Sequence, residues 1–129
     1  MRRLRVTISS IVILFSGLGQ AFPAAAEQED KTEKSVVTPG PLAPARELLA
    51  EMLLELKRPA DALKEFEATL TKEPNRFRSL YGAGEAAKLA GDRSTSQKYF
   101  RKLLQVAERA DKPGREELAE ARNGAAVKK

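Results

Sequence analysis

Phe66 and Phe100 stand 34 residues apart, and so do Leu70 and Leu104. A fixed step of that length, joining residues of matching character, constrains the chain more than its composition does. It implies a supersecondary unit written twice, each copy burying its apolar face against the other. Setting residues 43–76 over 77–110 gives four identities: Glu51/Glu85, Lys64/Lys98, Phe66/Phe100 and Leu70/Leu104. The physical pattern is stronger than the identities. A small residue falls where the two helices of a hairpin must approach (Ala50, Gly84). Another opens the second helix (Ala62, Ser96), and an aromatic follows four residues later on the same face. A turn separates the helices both times, at Lys57-Arg58-Pro59 and at Gly91-Asp92-Arg93.

Periodicity along the chain agrees with this layout. Residues 45–57 place Leu48, Leu49, Met52, Leu53 and Leu56 at spacings of three and four, an expected inward stripe, with Leu54 off it on the side of Glu47 and Glu51. Pro59 suits the first turn of the next helix, expected over 60–73 with Leu63, Phe66 and Leu70 inward. Pro74-Asn75 ends that helix, and Asn75 is the expected N-cap of a third over 76–90. Gly82 and Gly84 inside the third helix each cost about 1 kcal/mol against alanine, which close helix approach would offset. A fourth helix over 93–110 rests on Tyr99, Phe100, Leu103, Leu104 and Val106. After the turn Asp111-Lys112-Pro113-Gly114 comes a short capping helix over 115–123 carrying Leu118, stopped by Asn123-Gly124. A tail follows over 124–129. No segment alternates with period two, so the domain is expected to be all-α.

Before the helices, the chain reads as a targeting segment and a linker. Arg2, Arg3 and Arg5 precede an apolar run over 6–19, and Gln20 to Ala26 ends in small residues before a polar run beginning at Glu27. This is the three-part anatomy of a secretory signal, with Ala24 and Ala26 as the cleavage motif. The general secretory route is favoured over the twin-arginine one, and the expected destination is the periplasm or the exterior. An uncleaved anchor is the alternative, although 17 residues from Val6 to Phe22 fall short of a usual span of about 20. Residues 27–44 are polar, then rich in proline (Pro39, Pro41, Pro44), and read as a flexible linker.

Composition narrows the chemistry. The chain has no histidine and no cysteine, which removes thiol nucleophiles, histidine acid–base catalysis, disulfides and the usual zinc sites. No catalytic residue, cofactor or metal ligand is assigned, and an enzyme is not expected. The leader carries three of the 23 basic residues, and the remaining 20 stand against 18 acidic ones. So balanced a total does not point to nucleic acid.

Taken together, Ala62, Phe66, Leu70 and Pro74 in the first unit, and Gly84, Gly91-Asp92 and Phe100 in the second, resemble a pair of tetratricopeptide repeats with a capping helix, over about 43–125. Arg46 and Leu80 replace the usual aromatic near each start, Thr69 and Leu103 stand where alanine is common, and Glu108 replaces the closing proline. Residues Thr32-Glu33-Lys34 through Thr38-Pro39-Gly40-Pro41, followed by Ala45 to Leu49, are similar to the C-terminal part of longer bacterial exported repeat proteins. The resemblance implies helix–turn–helix hairpins stacked as a short right-handed α-solenoid, with packing residues Ala50, Ala62, Phe66, Leu70, Pro74, Gly84, Phe100 and Leu104. It also implies an interaction module, an adaptor or scaffold, gripping a protein segment in the groove of its first helices. That geometry places Glu47, Glu51 and Leu54 on the groove side of the first repeat and Arg78, Tyr81, Glu85 and Lys88 on that of the second. Glu47 and Glu51 argue against a clamp for a carboxylate tail. A mixed-charge groove with Tyr81 as aromatic anchor suits a partly basic, partly apolar segment. Two units and a cap leave the first hairpin's outer face uncovered, so self-association through it is the alternative, with Leu54 as the suspect residue. The expected partner is another protein or a second copy of the chain, with membrane contact only through an uncleaved leader.

Overall fold

The computed structural model describes residues 23–29, 31, 43–109 and 114–126. The expectations for the leader body (1–22), most of the linker, the 110–113 turn and the last residues of the tail lie outside these. The chain divides into two units, Met1–Gly40 and Pro41–Lys129. In the first, residues 23–29 are helical, so the cleavage-motif alanines Ala24 and Ala26 and the start of the expected linker lie in helix.

The second unit is all-helical, with no strand among the described residues. Its elements are α1 (Ala45–Glu55), α2 (Pro59–Lys72), α3 (Phe77–Leu89), α4 (Arg93–Val106), a 3-10 turn (Ala107–Arg109) and α5 (Glu116–Ala125). Each helix packs on the next in sequence, and α3 also touches α1 on one side and α5 on the other.

The ends of α1 and α3 are built alike. Lys57 (φ 59°) and Gly91 (φ 84°) both take the left-handed conformation one residue past the helix cap. Lys57 N–H donates to the Leu54 carbonyl (3.0 Å) and Arg58 N–H to that of Leu53 (2.8 Å). Gly91 N–H donates to Lys88 (3.1 Å) and Asp92 N–H to Ala87 (2.9 Å). These pairs form the double hydrogen bond of a Schellman stop, and the second stop falls 34 residues after the first. Each helix that follows starts differently. Pro59 fills the first turn of α2, where a missing N–H costs nothing. Asp92 caps α4 by accepting the Thr95 N–H (3.0 Å).

The core gathers Ala50, Leu53, Ala62, Phe66, Leu70, Leu80, Ala83, Ala86, Tyr99, Phe100, Leu103, Leu118 and Ala121. The close approaches are made at glycines. A Cβ at Gly84 would fall 2.5 Å from Phe100 Cε1, and one at Gly82 would run into the Phe66 ring. Gly124 closes on the other side of Phe100, where a Cβ would lie 2.5 Å from Cδ2. This contact explains why α5 runs through Asn123-Gly124 to Ala125 instead of stopping there. The glycine serves packing, and the helix continues to present it.

Several other expectations need correction. Asn75 is not the cap of α3. That position is Arg76, whose guanidinium has no acceptor with which to cap a helix and donates instead to Glu47 and Glu73. Pro74 is exposed in the turn and stops α2 without packing, and Leu104 is only partly buried. On α1 the expected inward stripe is rotated: Ala50 and Leu53 are buried, while Leu48 and Leu56 are 46% and 64% exposed. Leu89 and Val106 are also exposed.

Candidate functional site

The side-by-side row α1–α3–α5 carries most of the residues expected in a groove. Arg78, on α3, pairs with Glu51 of α1 at 2.8 Å. One turn on, Tyr81 reaches α5 and donates its hydroxyl hydrogen to Glu120 Oε2. Its ring also meets Phe100 at 6.3 Å, tilted by 48°. Glu85 and Lys88 pair with each other along α3 at 3.0 Å. Arg78 and Lys88 are exposed, while Glu51, Tyr81 and Glu85 are half-buried. Three of the seven expected residues, Glu51, Arg78 and Tyr81, are therefore tied across this row, and Glu85 and Lys88 pair along α3.

The other two are turned into the core. Glu47 is fully buried. It accepts from Arg76 Nε (2.7 Å), Arg76 Nη2 (3.0 Å) and Ser79 Oγ (2.5 Å), so its carboxylate is consumed inside the α1–α3 contact. A buried carboxylate is tolerated only when charged and hydrogen-bonding partners surround it, and here they do. Leu54 packs against the core instead of standing free. The leucines that stand free here are Leu48 on α1 and Leu56 at its C-cap.

Sequence reasoning missed the contribution of α5. Glu120 meets Tyr81 across 39 residues, more than one period, so no spacing within a repeat reveals the contact. Phe77 was missed too. It lies under the Arg115 guanidinium at 5.0 Å, which ties the start of α5 to the start of α3.

The electrostatics of the row follow from these pairings. Arg78 and Lys88 are already matched by Glu51 and Glu85, which leaves Glu117 and Glu120 in excess. Burial, the hydrogen bond to Glu120 and the charges of Glu85, Glu120 and Glu117 all push the Tyr81 hydroxyl's pKa above its ordinary value. The face is acidic around a tyrosine. Its ion pairs are exposed, and such pairs are worth about 0–1 kcal/mol, so a ligand's cation can displace Arg78 or Lys88 at little expense. Glu47, by contrast, cannot be freed without dismantling the core.

Among the described residues no group of three or more acidic side chains is placed to hold a metal ion, and no helix is long and apolar enough to cross a membrane. Compared with protein-family models, curated proteins and solved structures, the chain matches none.

Proposed function

We propose that this chain is an exported, non-catalytic interaction module, built from two tetratricopeptide-type hairpins and a capping helix, that grips a basic and partly apolar protein segment on the α1–α3–α5 face. The observation that carries the reading is the acidic surplus around Tyr81. Its carboxylates come from two helices, and the α3 cations on that face, Arg78 and Lys88, are held in exposed, weak pairs. An aromatic ring ringed by carboxylates is a fitting seat for a lysine or arginine next to an apolar residue. The repeat assignment rests on the 34-residue recurrence of Phe66/Phe100 and on the recurrence of the helix stops at Lys57 and Gly91.

A second reading is favoured by a separate observation. Leu48 and Leu56 are exposed two turns apart on α1, with Met52 partly exposed between them. Three apolar residues at spacing four form a stripe that a second copy can cover.

In-cell photo-crosslinking separates the two. A photoreactive residue replacing Lys88 should yield a discrete adduct with a different protein, and one replacing Leu56 should yield none. An adduct at twice the chain's mass, from Leu56 alone, would transfer the function to self-assembly. No adduct from either position would overturn both readings.

A further inference from the structure

The balanced total charge hides a one-sided helix. Residues 43–126 contain 16 basic and 14 acidic side chains, a net of +2. Helix α4 alone contributes Arg93, Lys98, Arg101 and Lys102 and no carboxylate. The rest of the helical unit is therefore net acidic. At 100° per residue Lys98, Arg101 and Lys102 spread over the arc opposite the buried Ser96, Tyr99, Phe100 and Leu103, while Arg93 opens the helix close to the direction of Phe100. Ser94, Gln97 and Gln105 fill the gaps on the same side.

Their pairing state differs from that of four cations on the preceding helices. Arg46, Lys64, Arg78 and Lys88, on α1 to α3, each lie within 4 Å of a carboxylate. None of the four on α4 has an ion-pair partner among the described residues, and Lys98 meets only the face of Tyr99, at 5.3 Å. The carboxylates bounding the helix are Asp92, engaged as its cap, and Glu108 in the 3-10 turn. A helix face of three unmatched cations stores an interaction that the fold does not use.

We propose that this face of α4 docks on an anionic membrane surface. The form of the face favours a bilayer over other polyanions. It is one helix side bearing serine, glutamine and flexible cations, with its aromatic residues turned inward. It therefore offers no buried anchor for a protein partner and no ring on which a base could stack. A surface that supplies charge without shape is matched by a plane of phosphate headgroups.

The test is co-sedimentation of the full chain with vesicles, either pure phosphatidylcholine or containing phosphatidylglycerol, at low and physiological salt. Each surface cation changes partitioning by roughly fivefold. The Lys98→Gln/Arg101→Gln/Lys102→Gln variant should thus lose roughly a hundredfold in binding to the anionic vesicles. Its binding to phosphatidylcholine should stay unchanged, which removes the leader's apolar contribution from the comparison. Arg78→Gln/Lys88→Gln should change less than roughly twofold, since those cations are already neutralised. Glu108→Gln should strengthen binding by a few-fold. The proposal is overturned if the triple variant binds anionic vesicles within twofold of the parent. It is equally overturned if the α3 variant loses as much, or if duplex DNA captures the chain through Lys98, Arg101 and Lys102 while vesicles do not.

Discussion

At the scale of single residues, the most informative one is Glu47, whose role reverses between the linear pattern and the folded chain. On the helical wheel it lies one turn before Glu51, and both read as groove carboxylates. The fold buries Glu47 and leaves Glu51 half-exposed, because Arg76 and Ser79, 29 and 32 residues later, converge on the first and only Arg78 reaches the second. A charge stays buried where its partners are, and partners so distant in sequence leave no periodic trace. The two members of the pair are unequal. Arg76 keeps about a fifth of its side chain exposed and has Glu73 as a second partner at 3.1 Å, whereas Glu47 has no water to fall back on. Arg76→Met should therefore be the worse change, about 3–5 kcal/mol, because it strands a buried carboxylate. Glu47→Gln, which can still bond to Ser79 and Arg76, should cost about 1–3 kcal/mol. Urea unfolding of both variants checks the order, and equal losses would mean that Glu47 is wetter than its burial indicates.

At the scale of elements, the helices themselves were legible, and so was the order of the turns between them, because prolines, glycines and the 3.6-residue period act locally. What local pattern missed was rotation and termination. Helix α1 has apolar residues on most of its circumference, so the wheel alone could not say that Leu53 turns inward and Leu56 outward; contact with α2 and α3 decides it. Helix α5 overruns its expected stop because Gly124 is needed beside Phe100, and a glycine read as a terminator turns out to be a contact surface. The stops of α1 and α3 offer a test of the repeat at backbone level. Both need a left-handed residue, but the first uses lysine and the second glycine. A non-glycine residue there costs about 1–2 kcal/mol, partly offset by the greater unfolded-state freedom of glycine, about 0.4–1 kcal/mol. Lys57→Gly should then stabilise the unit by up to about 1 kcal/mol, and Gly91→Ala should destabilise it by a similar amount. Thermal unfolding of the two single variants reads both signs. A loss of stability in Lys57→Gly would mean that the exposed lysine stem contributes more at the turn than its backbone strain takes away.

At the scale of the helical unit, its two tyrosines report on whether the rows of helices stay together. They are the only tyrosines in the chain, and each hydroxyl bonds to a carboxylate on another helix: Tyr81 of α3 to Glu120 of α5, and Tyr99 of α4 to Glu67 of α2 at 2.8 Å. Burial, then the carboxylate hydrogen bond, raises both hydroxyls well above the ordinary tyrosine range. A phenol that donates to a carboxylate cannot ionise without setting two negative charges against each other. Below about pH 10 the folded and unfolded chains are both protonated at these positions, and neither tyrosine makes stability depend on pH. Above it the unfolded chain releases protons that the folded unit retains, so proton release draws the equilibrium toward unfolding and stability falls as pH rises. The slope is at most about 1.4 kcal/mol per pH unit for Tyr99, and smaller for the more exposed Tyr81, where solvent screens the carboxylate. With only two tyrosines, tyrosinate absorbance gives a direct readout. At about pH 10.5 the folded chain should show almost none, and the signal should appear together with loss of helical circular dichroism. Tyr99→Phe should flatten the alkaline decline more than Tyr81→Phe. If tyrosinate instead appears near pH 10 with the helices intact, the α2–α4 and α3–α5 ties are open in solution, and the acidic face around Tyr81 is already free to receive a ligand.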